Sequence, residues 1–427
     1  MDCKHIEGGI RMEGLRKHHF GSVFRIHRMA NAQRMKDIEM MSKIASSRIS
    51  GFENGKFTLS KNEMAKLYHA IGMRFEIHND SFEIIESILQ SFYRSISYLD
   101  ERHTYHWSEF QKYKSYCLYD DSFIVYKLGE FIDATYFGDE TYAYEEVIQI
   151  LLDHIRYLKN DLKQMFYDTL GTYYEKIFDK KTALIYFQKG MECNASDSIL
   201  SMIYYHQSLA LMDVGHYVEA LSTIKKAKKL FDRELNLKRS VLSSIIMGNA
   251  QTLLGYYDKG EVIYLQCISS WQTTSFWSVT LVYRSLVWKC ILSKNYEKAI
   301  SYAQKAMRID LEHAGILNFF CSYAYWGLGK QAKALEYIRL ARNQMESEDF
   351  VIQEMIYAFS KFLSDHVSLD KKEKYLLKAY ESAIAYNSLQ LQTFIIEIMT
   401  NLNFSKDDFG KQIKYRDLFI KLLQKRK

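Results

Sequence analysis

A pair of small residues seven apart recurs along the second half of the chain, and it constrains the fold more than any other feature. The pairs are Ala183/Gly190, Ala220/Ala227, Gly260/Cys267, Ala299/Ala306 and Ala334/Ala341. Their starting points lie 37, 40, 39 and 35 residues apart. Seven residues are two helical turns, so each pair opens two gaps on one helix face, where a second helix can approach closely. Twelve residues before each pair stand Gly171, Ser208, Gly248, Val287 and Ser322, four of them small. Turn residues fall in between: Asp179-Lys180, Val214-Gly215-His216, Leu254-Gly255-Tyr256, Lys294-Asn295 and Gly327-Leu328-Gly329-Lys330. The unit is helix–turn–helix, repeated five times, and a period of this length predicts a stacked helical array. A weaker sixth unit lies near Leu376–Ala383, and Phe409–Leu423 reads as a capping or dimer-forming helix.

Composition supports the helical reading. The 427 residues include no proline, where average usage of about 5% gives roughly 20. Strand turns, loops and linkers use proline for its fixed φ, so a chain without it is helical with short Gly/Asn/Asp turns. An apolar fraction of 48% excludes wholesale disorder. Six scattered cysteines without a C-x-x-C pair predict reduced thiols, hence a cytoplasmic protein. No apolar leader opens the sequence and no run of 18 apolar residues occurs, so neither a signal peptide nor a membrane span is expected.

The net charge of +6 is unevenly placed. Residues 1–78 hold 14 Lys+Arg against 8 Asp+Glu, and the remaining 349 hold 43 of each. A basic head on a neutral body suits a polyanion at the head, most often nucleic acid. Four regions follow. Residues 1–15, with Gly8, Gly9 and Gly14, read as a flexible tail, and 16–76 as a small helical domain. Residues 77–98, with Phe82, Ile85, Ile88, Leu89 and Phe92 at helical spacing, read as a linker helix or as part of the body. Residues 99–427 are the repeat body.

The head carries four short helical patterns. Phe20, Val23, Phe24 and His27 mark the first, Met35, Ile38 and Met41 the second, Ala45 to Phe52 the third, and Met64, Leu67, Tyr68 and Ile71 the fourth. Ser60-Lys61-Asn62-Glu63 has capping-box spacing, and Asn54-Gly55 supplies a helix stop. Four such helices in a basic segment fit a helix-turn-helix DNA-binding domain. Phe20-Gly-Ser-Val-Phe-Arg25, Arg28, Ile49-Ser-Gly-Phe-Glu-Asn-Gly-Lys56 and Leu59-Ser60…Leu67 together resemble the lambda-repressor-like (XRE) family, most closely its Rgg-type branch. The resemblance covers residues 19–74. It implies a structural ion pair between Arg28 and Glu53. It also implies that the third helix reads DNA through Ser46, Ser47 and Arg48, with Arg48 on guanine, while Arg34, Lys43 and Lys56 meet phosphates. Two positions depart from the family: Met35 replaces a usual Gln, and Gly51 a usual Arg or Gln.

The body resembles the tetratricopeptide repeat (TPR), best at Leu170-Gly171…Tyr174…Ala183…Phe187 and at Tyr296-Glu-Lys-Ala-Ile-Ser-Tyr-Ala-Gln-Lys-Ala306. The first helix of each repeat lines the concave face of such arrays. Propagating the register puts Tyr205, Leu209, Asn249, Thr252, Arg284, Trp288, Phe319, Tyr323 and Trp326 there. Aromatic walls with one amide and one cation suit an extended peptide, with Asn249 on its backbone and Arg284 on a carboxylate. The alternative is that the aromatics are repeat core and Arg284 is solvated.

Enzyme and cofactor signals are weak. Gly327-Leu-Gly-Lys-Gln-Ala332 matches a dinucleotide fingerprint, but it follows a helix and lies in a repeat turn. His103 and His106 lack further ligands, so no metal, cofactor or catalytic residue is expected. The expected fold is all-α, a lambda-repressor-like domain followed by a right-handed TPR-like α-solenoid. This order resembles the Rap–Rgg–NprR–PlcR–PrgX group of peptide-sensing regulators. The resemblance implies a cytoplasmic homodimeric transcription regulator for quorum sensing, whose partners are double-stranded DNA and a short signalling peptide. The other reading is a peptide- or protein-binding scaffold, or a Rap-like phosphatase regulator, without DNA binding.

Overall fold

The computed structural model describes residues 20–76, 81–138, 144–269, 277–309, 314–345, 349–402 and 409–425. The expected flexible tail, 1–15, lies outside them. Among the described residues the regular elements are all helical, with no strand. The chain divides into two compact units, Met1–Leu170 with Cys193–Ala195, and Gly171–Glu192 with Ser196–Lys427.

The first unit begins with four short helices: α1 (20–30), α2 (Met35–Ser42), α3 (Ser46–Glu53) and α4 (Lys61–Ala70). Ser60 caps α4 in a full capping box, its side chain accepting from the Glu63 N–H while the Glu63 carboxylate accepts from the Ser60 N–H. Phe24, Ile38, Ile49, Phe52, Leu67 and Tyr68 are fully buried between the helices. A Cβ on Gly21 would fall 1.9 Å from the Phe52 carbonyl oxygen, so α1 and α3 cross where only glycine fits. Gly51 is less constrained: a Cβ there would meet only the ring of Phe57, an exposed side chain that can swing aside.

The rest of this unit comprises α5 (Ser81–Ser97), α6 (His103–Gln111), α7 (Ser122–Asp133), α8 (Tyr144–His154) and the start of α9 (Asn160–Lys176). The units part at Leu170/Gly171 rather than at 77–98. The physical reason lies in two places. Ile85, Leu89 and Phe92 of α5 are fully buried and α5 packs on α6 and α7, so this helix is core. Tyr119 meanwhile inserts into the head, its ring 4.9 Å from Tyr68 and 5.3 Å from Phe75, and its hydroxyl donates to the Arg74 carbonyl.

The second unit takes the end of α9, then α10 (Lys180–Glu192), α11 (Asp197–Asp213), α12 (Tyr217–Arg233), α13 (Leu237–Leu253), α14 (Tyr257–Ser269), α15 (Trp277–Leu292) and α16 (Tyr296–Ile309). It continues through α17 (Ala314–Gly327), α18 (Gln331–Asn343), α19 (Phe350–Leu363), α20 (Leu369–Ala385), α21 (Leu389–Met399) and α22 (Phe409–Gln424). Successive helices pack as pairs, and α11, α13, α15, α17 and α19 also touch in sequence, forming an inner layer. The small residues sit where the sequence puts them, buried at the crossings. Gly171 receives the Phe187 ring and Gly248 the Tyr264 ring, each sixteen residues on, with no room for a Cβ. Ser322 Oγ donates to the Ala334 carbonyl across the expected twelve-residue interval (2.7 Å).

The turns share one device. Phe178, Gly215, Gly255, Lys294 and Gly329 all have positive φ, and each lies five residues before the first small residue of its pair. A left-handed residue at this point ends the first helix and satisfies its last carbonyls, as in His216 N–H to Leu211 O (2.9 Å). The Gly327–Ala332 fingerprint is one of these turns, with Gly329 at φ 71°. The last repeats return to the first ones. Phe178 and Tyr386 rings stand 4.4 Å apart, and Leu389 fills the space over Gly215.

Candidate functional site

The inner helices of the second unit enclose a cavity of about 510 Å³. Its walls come from one face of each: Tyr205, Leu209 and Met212 on α11, Leu242, Ile245, Ile246 and Asn249 on α13, Arg284, Ser285 and Trp288 on α15, and Ile316 and Phe320 on α17. Ile352 and Met355 of α19 and Ser388, Gln390 and Leu391 at the start of α21 close it. The stripe 242, 245, 246, 249, 253 on α13 is the i, i+3, i+4, i+7, i+11 spacing of a single helix face.

Polar groups in this apolar wall are few and fixed. Tyr264 Oη donates to Asn249 Oδ1 (2.7 Å), which holds the amide and leaves its NH2 for a ligand carbonyl. The Trp288 indole N–H is buried without a hydrogen-bond partner among the described residues. Arg284 adds a guanidinium to the same wall. At the other end Glu175 and Asp213 line the cavity, and Lys180 behind them, 3% exposed, bonds both at 2.9 Å. Burial works against the Lys180 ammonium, but the two carboxylates outweigh it and its pKa is raised. An apolar channel with amide, indole and guanidinium donors can hold an extended backbone and a carboxylate.

Four expected residues are not in the wall. Phe319 is 0% exposed and packs on Phe320, Phe359 and Phe394. Tyr323 is buried against Phe359 and Phe394. Trp326 packs edge-on to Phe359 and Phe362, and Thr252 is buried at the α13–α14 crossing beside Tyr264. Phe319 and Tyr323 are corrected to core, and Trp326 to a half-buried position packed against it. The α17 face that reaches the cavity is Ile316 and Phe320, one residue from the propagated register, and α19 and α21 cover the neighbouring face. Tyr205, Leu209, Asn249, Arg284 and Trp288 do line the cavity. Glu175, Asp213 and the α21 residues were not foreseen. The α13 stripe was legible, but the return of α21 is a long-range contact with no local signal.

On the head, Arg28 grips Glu53 bidentately, Nε to Oε1 at 2.6 Å and Nη2 to Oε2 at 2.9 Å, and Nη1 donates to the Gln33 carbonyl (3.0 Å). This clamp ties α1 to the end of α3. The exposed start of α3 presents Ser47 and Arg48, with Ser46 partly covered and bonded to Glu39. Arg48 rests on the Phe57 ring (5.5 Å) and bonds Glu63 Oε1 (2.7 Å). Glu63 is held down to about 2, first by the Ser60 N–H and hydroxyl and then by Arg48. Arg34, Lys43 and Lys56 are exposed, Arg34 paired with Asp37 at 3.0 Å.

No helix among the described residues is long and apolar enough to cross a membrane. No protein-family model matches the chain, and no curated protein matches it in sequence. Solved structures do. A Rap protein complexed with competence and sporulation factor is similar at 13% identity, with TM-score 0.68, over 81% of this chain and 100% of that one. NprR in complex with its cognate peptide NprX is similar at 16% identity and TM-score 0.61, over 80% of this chain and 99% of that one. The apo form of the quorum sensor NprR from B. thuringiensis gives 15% identity and TM-score 0.58, over 80% and 99%. At such identities the likeness shows the fold: this chain shares the TPR-like helical solenoid of Rap and NprR.

Proposed function

We propose that the chain is a cytoplasmic, homodimeric transcription regulator, not an enzyme. Its second unit binds a short signalling peptide and its head binds operator DNA. The observation that carries the reading is the cavity of about 510 Å³ whose apolar wall holds the Tyr264-fixed Asn249 amide, the Trp288 N–H and Arg284. Structures of the same fold support it: NprR with its cognate peptide NprX, and a Rap protein complexed with competence and sporulation factor. The closed contacts Phe178–Tyr386 and Leu389–Gly215 are what a ligand would strengthen or loosen. A peptide shifts such an equilibrium only by its differential affinity for the two states.

For DNA the support is the local +6 over 1–78 and the exposed Ser47–Arg48 start of α3. One feature favours the second reading, a peptide-binding protein without DNA. Arg48 is engaged by Glu63, so a guanine must displace that carboxylate. Selection of bound duplexes from a random pool decides between them. The expected result is one enriched sequence for the wild type and none for Arg48→Ala. Enrichment unchanged by Arg48→Ala contradicts the recognition-helix assignment, and no enrichment by wild type favours the second reading.

A further inference from the structure

The neutral body is a cancellation. Residues 79–170 carry 8 Lys+Arg against 17 Asp+Glu, and residues 171–427 carry 35 against 26. The repeat unit is therefore at +9, a larger excess than that of the head. The excess has a focus on α12, which carries Lys225, Lys226, Lys228, Lys229 and Arg233 within nine residues. Lys228 turns inward to Asp232 (2.8 Å) and Ser240 (2.9 Å). Lys225, Lys229 and Arg233 stand at i, i+4 and i+8 on the outer face, exposed and without an ion-pair partner among the described residues. At 1.5 Å rise per residue they form a row of about 12 Å. They border a surface hollow of about 460 Å³ that also includes Lys228, Asp232 and Met247.

We infer that this row is a second contact for double-stranded DNA, gripping the phosphate backbone without reading sequence. It lies on a helix that takes no part in the cavity or in the head, so it goes beyond the function proposed above. A straight row of unneutralised cations matches a linear polyanion, which binds by releasing its condensed counterions. An acidic protein surface is the poorer fit. The acids of the −9 segment are dispersed and several are already paired: Glu86 with Lys159, Asp100 with Arg102, Glu109 with Lys112 and Glu130 with Lys127.

The test measures binding of the full chain to a duplex of scrambled sequence across a salt series. Each neutralised phosphate contributes about 0.9 to the slope of log affinity against log salt. The triple variant Lys225→Gln/Lys229→Gln/Arg233→Gln should therefore lower the slope by about 2.7. A control triple of equal charge loss on α18 and its preceding turn, Lys330→Gln/Lys333→Gln/Arg339→Gln, should leave it unchanged. Equal effects of the two triples, no effect of the first, or no duplex binding by wild type at low salt would overturn the inference. So would a triple that disperses an oligomer in light scattering while keeping the slope, since the row would then dock protein. Arg48→Ala separates the two proposals: it should abolish sequence preference yet retain most of the salt slope.

Discussion

The Tyr264 hydroxyl donates to Asn249 Oδ1 at 2.7 Å, and through this bond a residue of the outer helix α14 sets the amide that faces the cavity. Tyr264 is fully buried, its ring seated over Gly248, so the bond is preorganised before any ligand arrives. Tyr264→Phe keeps the ring and removes the bond. Affinity for a bound peptide should fall roughly fivefold, the worth of one hydrogen bond. Calorimetric titration with a peptide recovered from the library described below measures this, and unchanged affinity would show that the amide does not touch the ligand.

The register correction on α17 separates core residues from those that line the cavity. Phe319 is core, so Phe319→Ala should lower the unfolding free energy by about 3–5 kcal/mol. Ile245 lines the cavity from α13, so Ile245→Trp should fill it and abolish peptide retention while urea unfolding shows a folded protein. Peptide retention undiminished in Ile245→Trp would place the ligand elsewhere.

Lys294 occupies a left-handed position (φ 57°) that three of the five equivalent turns give to glycine. An L-residue there is strained by contact of its Cβ with the backbone. Lys294→Gly should stabilise the protein by about 0.5–1 kcal/mol, because relief of strain outweighs glycine's greater unfolded freedom. Urea midpoints read this directly, and a destabilised variant would mean that the lysine side chain contributes packing that offsets the strain.

His27 donates from Nε2 to the Leu118 carbonyl (2.7 Å) and meets the Phe123 ring edge-on, 4.8 Å between centroids. Burial lowers its pKa, and Lys127 adds to the effect against the carbonyl's opposing pull. A depressed histidine is neutral in the fold and protonates more readily when unfolded. Its contribution is therefore complete above the unfolded value of about 6.5 and is lost as pH falls from there toward the lowered folded value. Wild type should lose more stability between pH 7.5 and pH 5.5 than His27→Gln does. Identical losses in the two proteins would contradict a neutral His27.

Local features were the legible ones. The Ser60–Glu63 capping box, the Asn54-Gly55 stop and the small-residue pairs each depend on residues within a few turns of one another, and the structure places them as the spacing predicts. Long-range closure was not legible. Tyr119 enters the head core from 45 residues beyond its Arg74 partner, and Leu389 meets Gly215 across most of the repeat unit. Phe319 and Tyr323 are likewise buried by Phe359 and Phe394, which come from later helices. A register carried over five repeats of 35 to 40 residues drifts by a residue, which on a helix is 100° of rotation. The net charge misled differently, because the zero sum over 79–427 hides an acidic segment and a basic one.

Peptide capture tests the central claim most directly. The full chain is incubated with an equimolar library of linear heptapeptides, gel-filtered, and the retained peptides are released by acid and identified by mass spectrometry. The predicted result is a restricted set of apolar peptides retained near one per chain by wild type, and lost in both Ile245→Trp and Arg284→Ala. Retention of no peptide, or of the same set by both variants, would contradict a peptide site in this cavity.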